Sequence, residues 1–348
     1  MKTIQTGIAS FGMSGRVFHA PLIHCHPAFN LKTIVERSPK GSKQIYPEVE
    51  VVTSFDELIQ DSTMDLIIVN TPDTTHFDFC QKALNAGKHV VVEKPFTVTS
   101  AEAEKLIHLA KEKGLMISVF QNRRWDSDFL TVQKVIKEQM LGRLVAFESH
   151  FDRYRNFIKP NTWKEEQGTG AEIVYNLGTH MIDQAYVLFG MPHSVFAEIG
   201  TQRTGGKADD SYNIILGYDE VSVNLKASYL VREEGPRYQL HGTEGSFLKW
   251  GMDPQEADLA AGKLPGSDHW GMEDRQLWGK LNTEINGLHV TGRVESLPGN
   301  YMMYYESIAD TLQNGTELVV KPEQSLDVIK IVEAAIESNK KGKKVLLA

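Results

Sequence analysis

The stretch Thr3-Ile4-Gln5-Thr6-Gly7-Ile8-Ala9-Ser10-Phe11-Gly12-Met13-Ser14-Gly15 reads as a short buried strand that ends in a glycine turn. Gly12 and Gly15 match the last two glycines of G-x-G-x-x-G, with Ser10 in place of the first. Alone the match is weak; its surroundings raise it. Residues 31–36, 65–71, 89–93 and 116–121 are further short, Val/Ile-rich runs, the pattern of parallel strands buried on both faces. Amphipathic stretches separate them. The clearest covers 100–113, with Thr99 and Glu102 as a capping box and Gly114 as the stop. This alternation predicts an α/β fold that opens with a doubly wound parallel sheet over residues 1–121.

Past Gln121 the rhythm changes. A helix over 126–139 gives way to longer alternating runs at 145–153, 212–218 and 221–230, which read as antiparallel strands with one covered face. Helical spacing returns at 173–189, 301–313 and 322–339, while 251–300 lacks a strong period and reads as loops over a site. Residues 122–348 are thus expected to form a second α/β domain. The length of 348 residues suits two domains of roughly 150 residues each.

A formal charge of −8 and the absence of a basic run argue against a nucleic-acid partner. No run of 18 apolar residues and no signal-peptide core are present, so no membrane role and a cytoplasmic location are expected. Cys25 and Cys80 are too few for a disulfide framework and read as buried thiols. His24-Cys25-His26 has no second ligand cluster at zinc spacing, so no metal site is expected. Walker A fails at Met13 and Ser14, and no G-x-S-x-G elbow occurs.

The glycine turn places Ser10, Gly12 and Gly15 where a helix N-terminus could meet a pyrophosphate. Glu36, at the end of the second run, suits the ribose hydroxyls of NAD, whereas the adjacent Arg37 and Ser38 suit the extra phosphate of NADP. The charge-assisted fork of arginine makes NADP the preferred cofactor, with NAD still open. Ligands of open α/β sheets bind outside the carboxyl ends of the strands. Asn70, Thr71, Pro72 and His76 follow one such end, and Glu93, Lys94 and Pro95 another. Lys94 follows the apolar run Val90-Val91-Val92, which sets an ammonium at the mouth of the crevice.

These residues carry a resemblance to the glucose-fructose oxidoreductase and inositol dehydrogenase (Gfo/Idh/MocA) family. Its carriers are the glycine turn running on through Arg16, Val17, Phe18, His19, Ala20 and Pro21, the Asn70–His76 and Glu93-Lys94-Pro95 segments, Asn122-Arg123-Arg124-Trp125-Asp126, then Gly178, His180 and Asp183, and His241-Gly242-Thr243-Glu244-Gly245-Ser246-Phe247. The run from Arg16 to Pro21 and residues 122–129 look most like the NADP-dependent scyllo-inositol dehydrogenase subgroup. The resemblance implies a second domain with a large, open, mostly antiparallel sheet that joins copies into a homodimer or homotetramer. It also implies that residues 1–121 are an NAD(P)-binding Rossmann domain and that the chain carries out NAD(P)-dependent hydride transfer at a sugar or cyclitol hydroxyl. Lys94 matches the lysine that binds the reacting hydroxyl, and His180 the general acid/base. Asn176 stands where the family has aspartate, four residues before the histidine; it can orient the imidazole but supplies no negative charge. Asp183 is the nearest carboxylate by sequence. Arg123, Tyr154, Trp163 and Tyr238 are candidate substrate-lining groups, each aromatic also readable as core packing. Two other functions fit the same residues: a dinucleotide-binding sensor without turnover, and a glycoside-cleaving enzyme assisted by transient oxidation.

Overall fold

The computed structural model describes residues 2–39, 41–160, 162, 165–166 and 172–347. It contains two compact units, Met1–Asn122 with Gln255–Trp270 and Asn300–Leu326, and Arg123–Pro254 with Gly271–Gly299 and Asp327–Ala348.

The first unit opens with β1 (Ile4–Ile8), α1 (Ala20–Cys25), β2 (Phe29–Val35), α2 (Ser42–Ile45), β3 (Glu50–Val52), α3 (Phe55–Gln60), β4 (Leu66–Val69), α4 (His76–Asn85), β5 (His89–Val92), α5 (Ser100–Lys113) and β6 (Ile117–Val119). The strands form one parallel sheet in the order β3-β2-β1-β4-β5-β6. Every residue of β4, and Val90 to Val92 of β5, is fully buried, as covered parallel strands require. The capping box of α5 is present: Thr99 Oγ1 accepts from the Glu102 amide at 3.3 Å, and Glu102 Oε2 accepts from the Thr99 amide at 3.2 Å. Three-residue β3 has no buried residue, so no apolar run announces it.

The second unit follows with α6 (Ser127–Lys137), β7 (Leu144–His150), α7 (Thr179–Phe189), β8 (Ser194–Gly200), β9 (Ser211–Gly217), β10 (Ser222–Ser228), β11 (Tyr238–Gly242) and β12 (Gly245–Lys249). In chain order then come α8 (Gln255–Ala260), β13 (Gly279–Ile285), β14 (Leu288–Val294), α9 (Met302–Asn314), α10 (Pro322–Lys341) and β15 (Val345–Leu346), of which α8 and α9 belong to the first unit. Its nine strands run in the order β14-β13-β12-β11-β7-β10-β9-β8-β15, antiparallel except for the parallel β7–β10 pair. Tyr212, Ile214, Leu216, Val223, Leu225 and Ala227 form an alternating buried face. Onto it α6, α7 and α10 bring Phe129, Val132, Met181, Ile182, Ile331 and Val332.

Two features depart from the expectations. Residues 251–300 are not loops alone: they hold α8 and the β13–β14 hairpin, turned by Asn286 and Gly287. Six of the seven β14 residues are exposed, so the strand has no apolar alternation to reveal it. Residues 255–270 and 300–326, which follow the boundary near 121, pack into the first unit. Aromatic contacts draw them there: Tyr304 meets Phe120 edge-on with centroids 4.9 Å apart, and its hydroxyl donates to Ser118 Oγ at 3.1 Å. Among the described residues no helix is long and apolar enough to cross a membrane.

Candidate functional site

In the first unit the carboxyl ends of β1, β4 and β5 bring the expected residues together. The chain leaves β1 through Ser10, whose hydroxyl accepts from the Gly12 amide at 3.3 Å, and winds into a π-helical turn, Gly15–His19, before α1. A Cβ on Gly15 would stand 2.1 Å from the Ser10 carbonyl oxygen, so only glycine fits. A Cβ on Gly12 would meet only the Ser10 hydroxyl, at 3.4 Å, which leaves that edge of the turn open to a ligand. Asn70, just past β4, donates from Nδ2 to the Ser10 carbonyl at 2.7 Å and pins the turn. An open glycine edge at a helix start, where the first amides lack intrahelical partners, fits a dinucleotide pyrophosphate.

Glu36 is buried, and its Oε1 accepts from the Ser42 amide at 2.9 Å, which anchors the exposed residues Arg37 and Ser38 beyond β2. Thr71 Oγ1 hydrogen-bonds Thr75 Oγ1 at 2.7 Å, beside exposed Pro72. His76, expected to touch cofactor, is fully buried and hydrogen-bonds backbone carbonyls instead, so it reaches a ligand only through them.

Glu93 has two partners at Lys94's doorstep. Its Oε1 faces His19 Nε2 at 3.1 Å, and its Oε2 accepts from the Lys94 amide at 3.1 Å. Burial raises the Glu93 pKa, but the His19 hydrogen bond and the charges of His19, Lys94 and His76 outweigh it and hold the carboxyl below its usual range. His19 Nδ1 meets the Tyr305 hydroxyl at 2.6 Å. No sequence spacing announces a pair 286 residues apart. The Lys94–Pro95 peptide bond is cis.

In the second unit Asn176, His180 and Asp183 lie along one helical run, a π-helical turn (Val174–Gly178) that continues into α7. Such turns recur at functional sites, and neither of the two among the described residues was legible in the sequence. His180 is buried and Asn176 half-buried. Asp183 is taken up by a motif residue to which the sequence assigns no role: Arg124 grips it through Nε and Nη2 at 2.8 and 2.7 Å, with both side chains buried. That bidentate pair makes Asp183 a structural anchor of α7. Arg123 is also buried, bonded to Asp126 at 3.1 Å and set over the Phe151 ring at 5.4 Å. Tyr238 is core, its hydroxyl donating to Gln184 at 2.8 Å. Tyr154 stands apart, exposed and bonded to Arg232. Trp163 lies outside the described residues.

Cys80 is fully buried, but Cys25 is only partly so. Among the described residues no group of three His, Cys, Asp or Glu side chains could hold a metal ion.

Comparison with known proteins agrees with this architecture. Residues 4–121 match the oxidoreductase-family model for an NAD-binding Rossmann fold, and residues 133–347 match the model for its C-terminal α/β domain. The chain is 39% identical to scyllo-inositol 2-dehydrogenase (NADP(+)) IolW of Bacillus subtilis, over 99% of this chain and 96% of that protein. It is 40% identical to the uncharacterized oxidoreductase YdgJ of Escherichia coli, over 99% of both. A solved Bacteroides fragilis structure, assigned to the oxidoreductases by inference, superposes with a TM-score of 0.93 at 51% identity, covering 99% of this chain and 100% of that one. This protein therefore belongs to the Gfo/Idh/MocA oxidoreductase family, with an NAD-binding Rossmann domain and a C-terminal α/β domain.

Proposed function

We propose that the protein is a cytoplasmic NADP-dependent dehydrogenase that transfers a hydride between the nicotinamide and a sugar or cyclitol hydroxyl, acting as an oligomer joined through its nine-stranded sheet. The observation that carries the reading is Lys94 at the carboxyl end of β5, backed by a Glu93 carboxylate held ionised. Ser10, Gly12 and Gly15 would cradle the pyrophosphate. Arg37 and Ser38, exposed past a Glu36 that braces their loop, would receive the extra phosphate. The printed name of the Bacillus subtilis relative supports that cofactor and substrate class. When bound, the nicotinamide supplies the hydride chemistry.

The protein's own part is proton handling and orientation. Lys94 would bind the reacting oxygen, and His180 would take the hydroxyl proton. Asn176 would orient His180 without the negative charge that an aspartate gives the imidazolium. The test is absorbance at the reduced-nicotinamide band with NADP or NAD and a panel of inositols, aldoses and sugar lactones. The expected result is turnover with a polyol and NADP, falling about 10²-fold or more in His180→Ala. Cofactor binding without turnover would overturn this reading in favour of a sensor, and hydrolysed glycoside without net reduction in favour of oxidation-assisted cleavage.

A further inference from the structure

His19 closes the π-helical turn that begins at Gly15, so this histidine and the turn fitted to a pyrophosphate are one continuous stretch of backbone. Its side chain is fully buried and lies against the Phe120 ring, with centroids 4.5 Å apart. Both ring nitrogens are engaged. Nε2 lies 3.1 Å from Glu93 Oε1, and Nδ1 lies 2.6 Å from the Tyr305 hydroxyl. The second Glu93 oxygen, Oε2, accepts from the Lys94 amide at 3.1 Å. An ionised carboxylate only accepts, so Nε2 donates to Oε1, and the Tyr305 hydroxyl suits Nδ1 as its donor.

The far end of this chain of hydrogen bonds is fixed as firmly as the near one. Tyr305 is carried by α9, and its fully buried ring meets Phe29 and Tyr304 edge-on, with centroids 5.6 and 5.4 Å away. All of these residues lie in the first unit.

We propose that Tyr305 and His19 are positioning residues for Lys94: they lock the Glu93 carboxylate, which holds the Lys94 backbone at the carboxyl end of β5. That Lys94 meets the reacting oxygen rests on the reading of the site given above; the hydrogen-bonded chain does not. A glutamate side chain on its own samples many rotamers, and each partner that binds one of its oxygens removes some of them. With Oε1 taken by His19, Oε2 is left facing the Lys94 amide. The chain runs inward from Lys94 to a hydroxyl in a fully buried side chain, so it leads away from solvent and serves orientation rather than proton transport. It also gives α9 a task in the first unit, since this helix delivers the last member of the support. A reactive group held through interlocked, buried partners keeps its geometry before any ligand arrives.

The test uses Tyr305→Phe, which removes one oxygen and leaves the ring in place, and Glu93→Ala, alone and combined. In turnover of a polyol with NADP, Tyr305→Phe should lower kcat about fivefold, the effect of one lost hydrogen bond, and leave the KM for NADP unchanged. In the Glu93→Ala background the same change should have no further effect on kcat, because the hydroxyl acts through the carboxylate. A Tyr305→Phe effect of equal size in both backgrounds, or none in either, overturns the proposal. Should Glu93→Ala not fold, His19→Gln and His19→Leu replace it. Glutamine keeps an N–H for Oε1 and should retain most of kcat, whereas leucine should not; equal losses overturn the proposal.

A second readout needs no turnover. Amide hydrogen exchange at Lys94, followed by NMR without substrate, should be about fivefold faster in Tyr305→Phe, with the amides of β4 unchanged. Unchanged exchange at Lys94 overturns the positioning chain whatever the activity. Faster exchange in a protein that turns over no polyol removes the proposed activity and leaves the chain standing.

Discussion

The two sheets place their polar groups in opposite ways. In the six-stranded sheet every residue of β4 is a fully buried aliphatic, and hydrogen-bonding side chains gather past the strand ends, where Asn70 holds the Ser10 carbonyl, His76 meets the Pro95 carbonyl and Glu93 faces His19. In the unit built on the nine-stranded sheet, charges are paired in the interior. Lys249 and Glu273, both fully buried, meet at 2.7 Å, and Glu273 also accepts from Ser127 and Ser296 at 2.8 and 2.6 Å. Arg124 with Asp183, and Arg203 with Asp210 at 2.8 Å, follow the same plan. Within its strands the parallel sheet buries only the small hydroxyls of Thr6, Thr33 and Ser118 among polar side chains, and its larger hydrogen-bonding groups lie past the strand ends. In the second unit the ion pairs instead fasten connecting segments: Lys249, at the end of β12, holds Glu273, and Arg203 holds Asp210 within the β8–β9 connection.

This contrast predicts where single substitutions are most harmful. Removing one member of a buried pair leaves the other charge without compensation, so Lys249→Met should lower unfolding stability by about 3–5 kcal/mol. Adding Glu273→Gln should recover most of that loss, because an amide beside an apolar side chain carries no net charge. Urea denaturation followed by tryptophan fluorescence and circular dichroism checks both. A double variant as unstable as the single one would mean that packing around Lys249, rather than charge pairing, holds this region.

The same contrast explains what the sequence revealed. β4 and β5 were legible because burial on both faces writes an apolar run, β1, β2 and β6 from shorter Val/Ile-rich stretches broken by polar residues, and the capping box at Thr99 because its partners are three residues apart. β9 and β10 were legible from alternation. β14 was not, since exposure on both faces erases the period, although Asn286-Gly287 is a hairpin signal in its own right. The crevice residues were identifiable from strand ends and family motifs. Their second partners were not: Tyr305 for His19, Arg124 for Asp183 and Pro95 for His76 are joined by folding, and no spacing rule connects them. Asp183 and His76 are named from sequence as ligand contacts; in the structure both are buried and hydrogen-bonded within the chain.

Polar devices at the rim of the first unit should matter less than the buried pairs of the second. Thr99→Ala removes the acceptor for the Glu102 amide at the start of α5 and should cost about 1 kcal/mol, read as a lower urea midpoint. A loss as large as that of Lys249→Met would break the division between a tolerant rim and a charge-sensitive interior.

The smallest effect belongs to Asp61, at the end of α3 on the surface of the first unit. Hydrogen bonds from Lys32 and from Thr63 hold its pKa down at about 2, against 3.8 for an ordinary aspartate. A carboxyl whose pKa is lower in the folded state stabilises the fold above its unfolded pKa and loses that contribution as pH falls toward the folded one. Its side chain is about one-quarter exposed, so solvent screens the pair and the contribution at neutral pH stays below about 1 kcal/mol. Asp61→Asn should therefore be slightly less stable than the unsubstituted protein at neutral pH, and the gap should close between about pH 4 and about pH 2. Because the ion pair is screened, added salt should also narrow the neutral-pH gap, whereas the Lys249–Glu273 pair, shielded from solvent, should respond much less. Equal salt responses from the two pairs would erase the distinction between rim and interior.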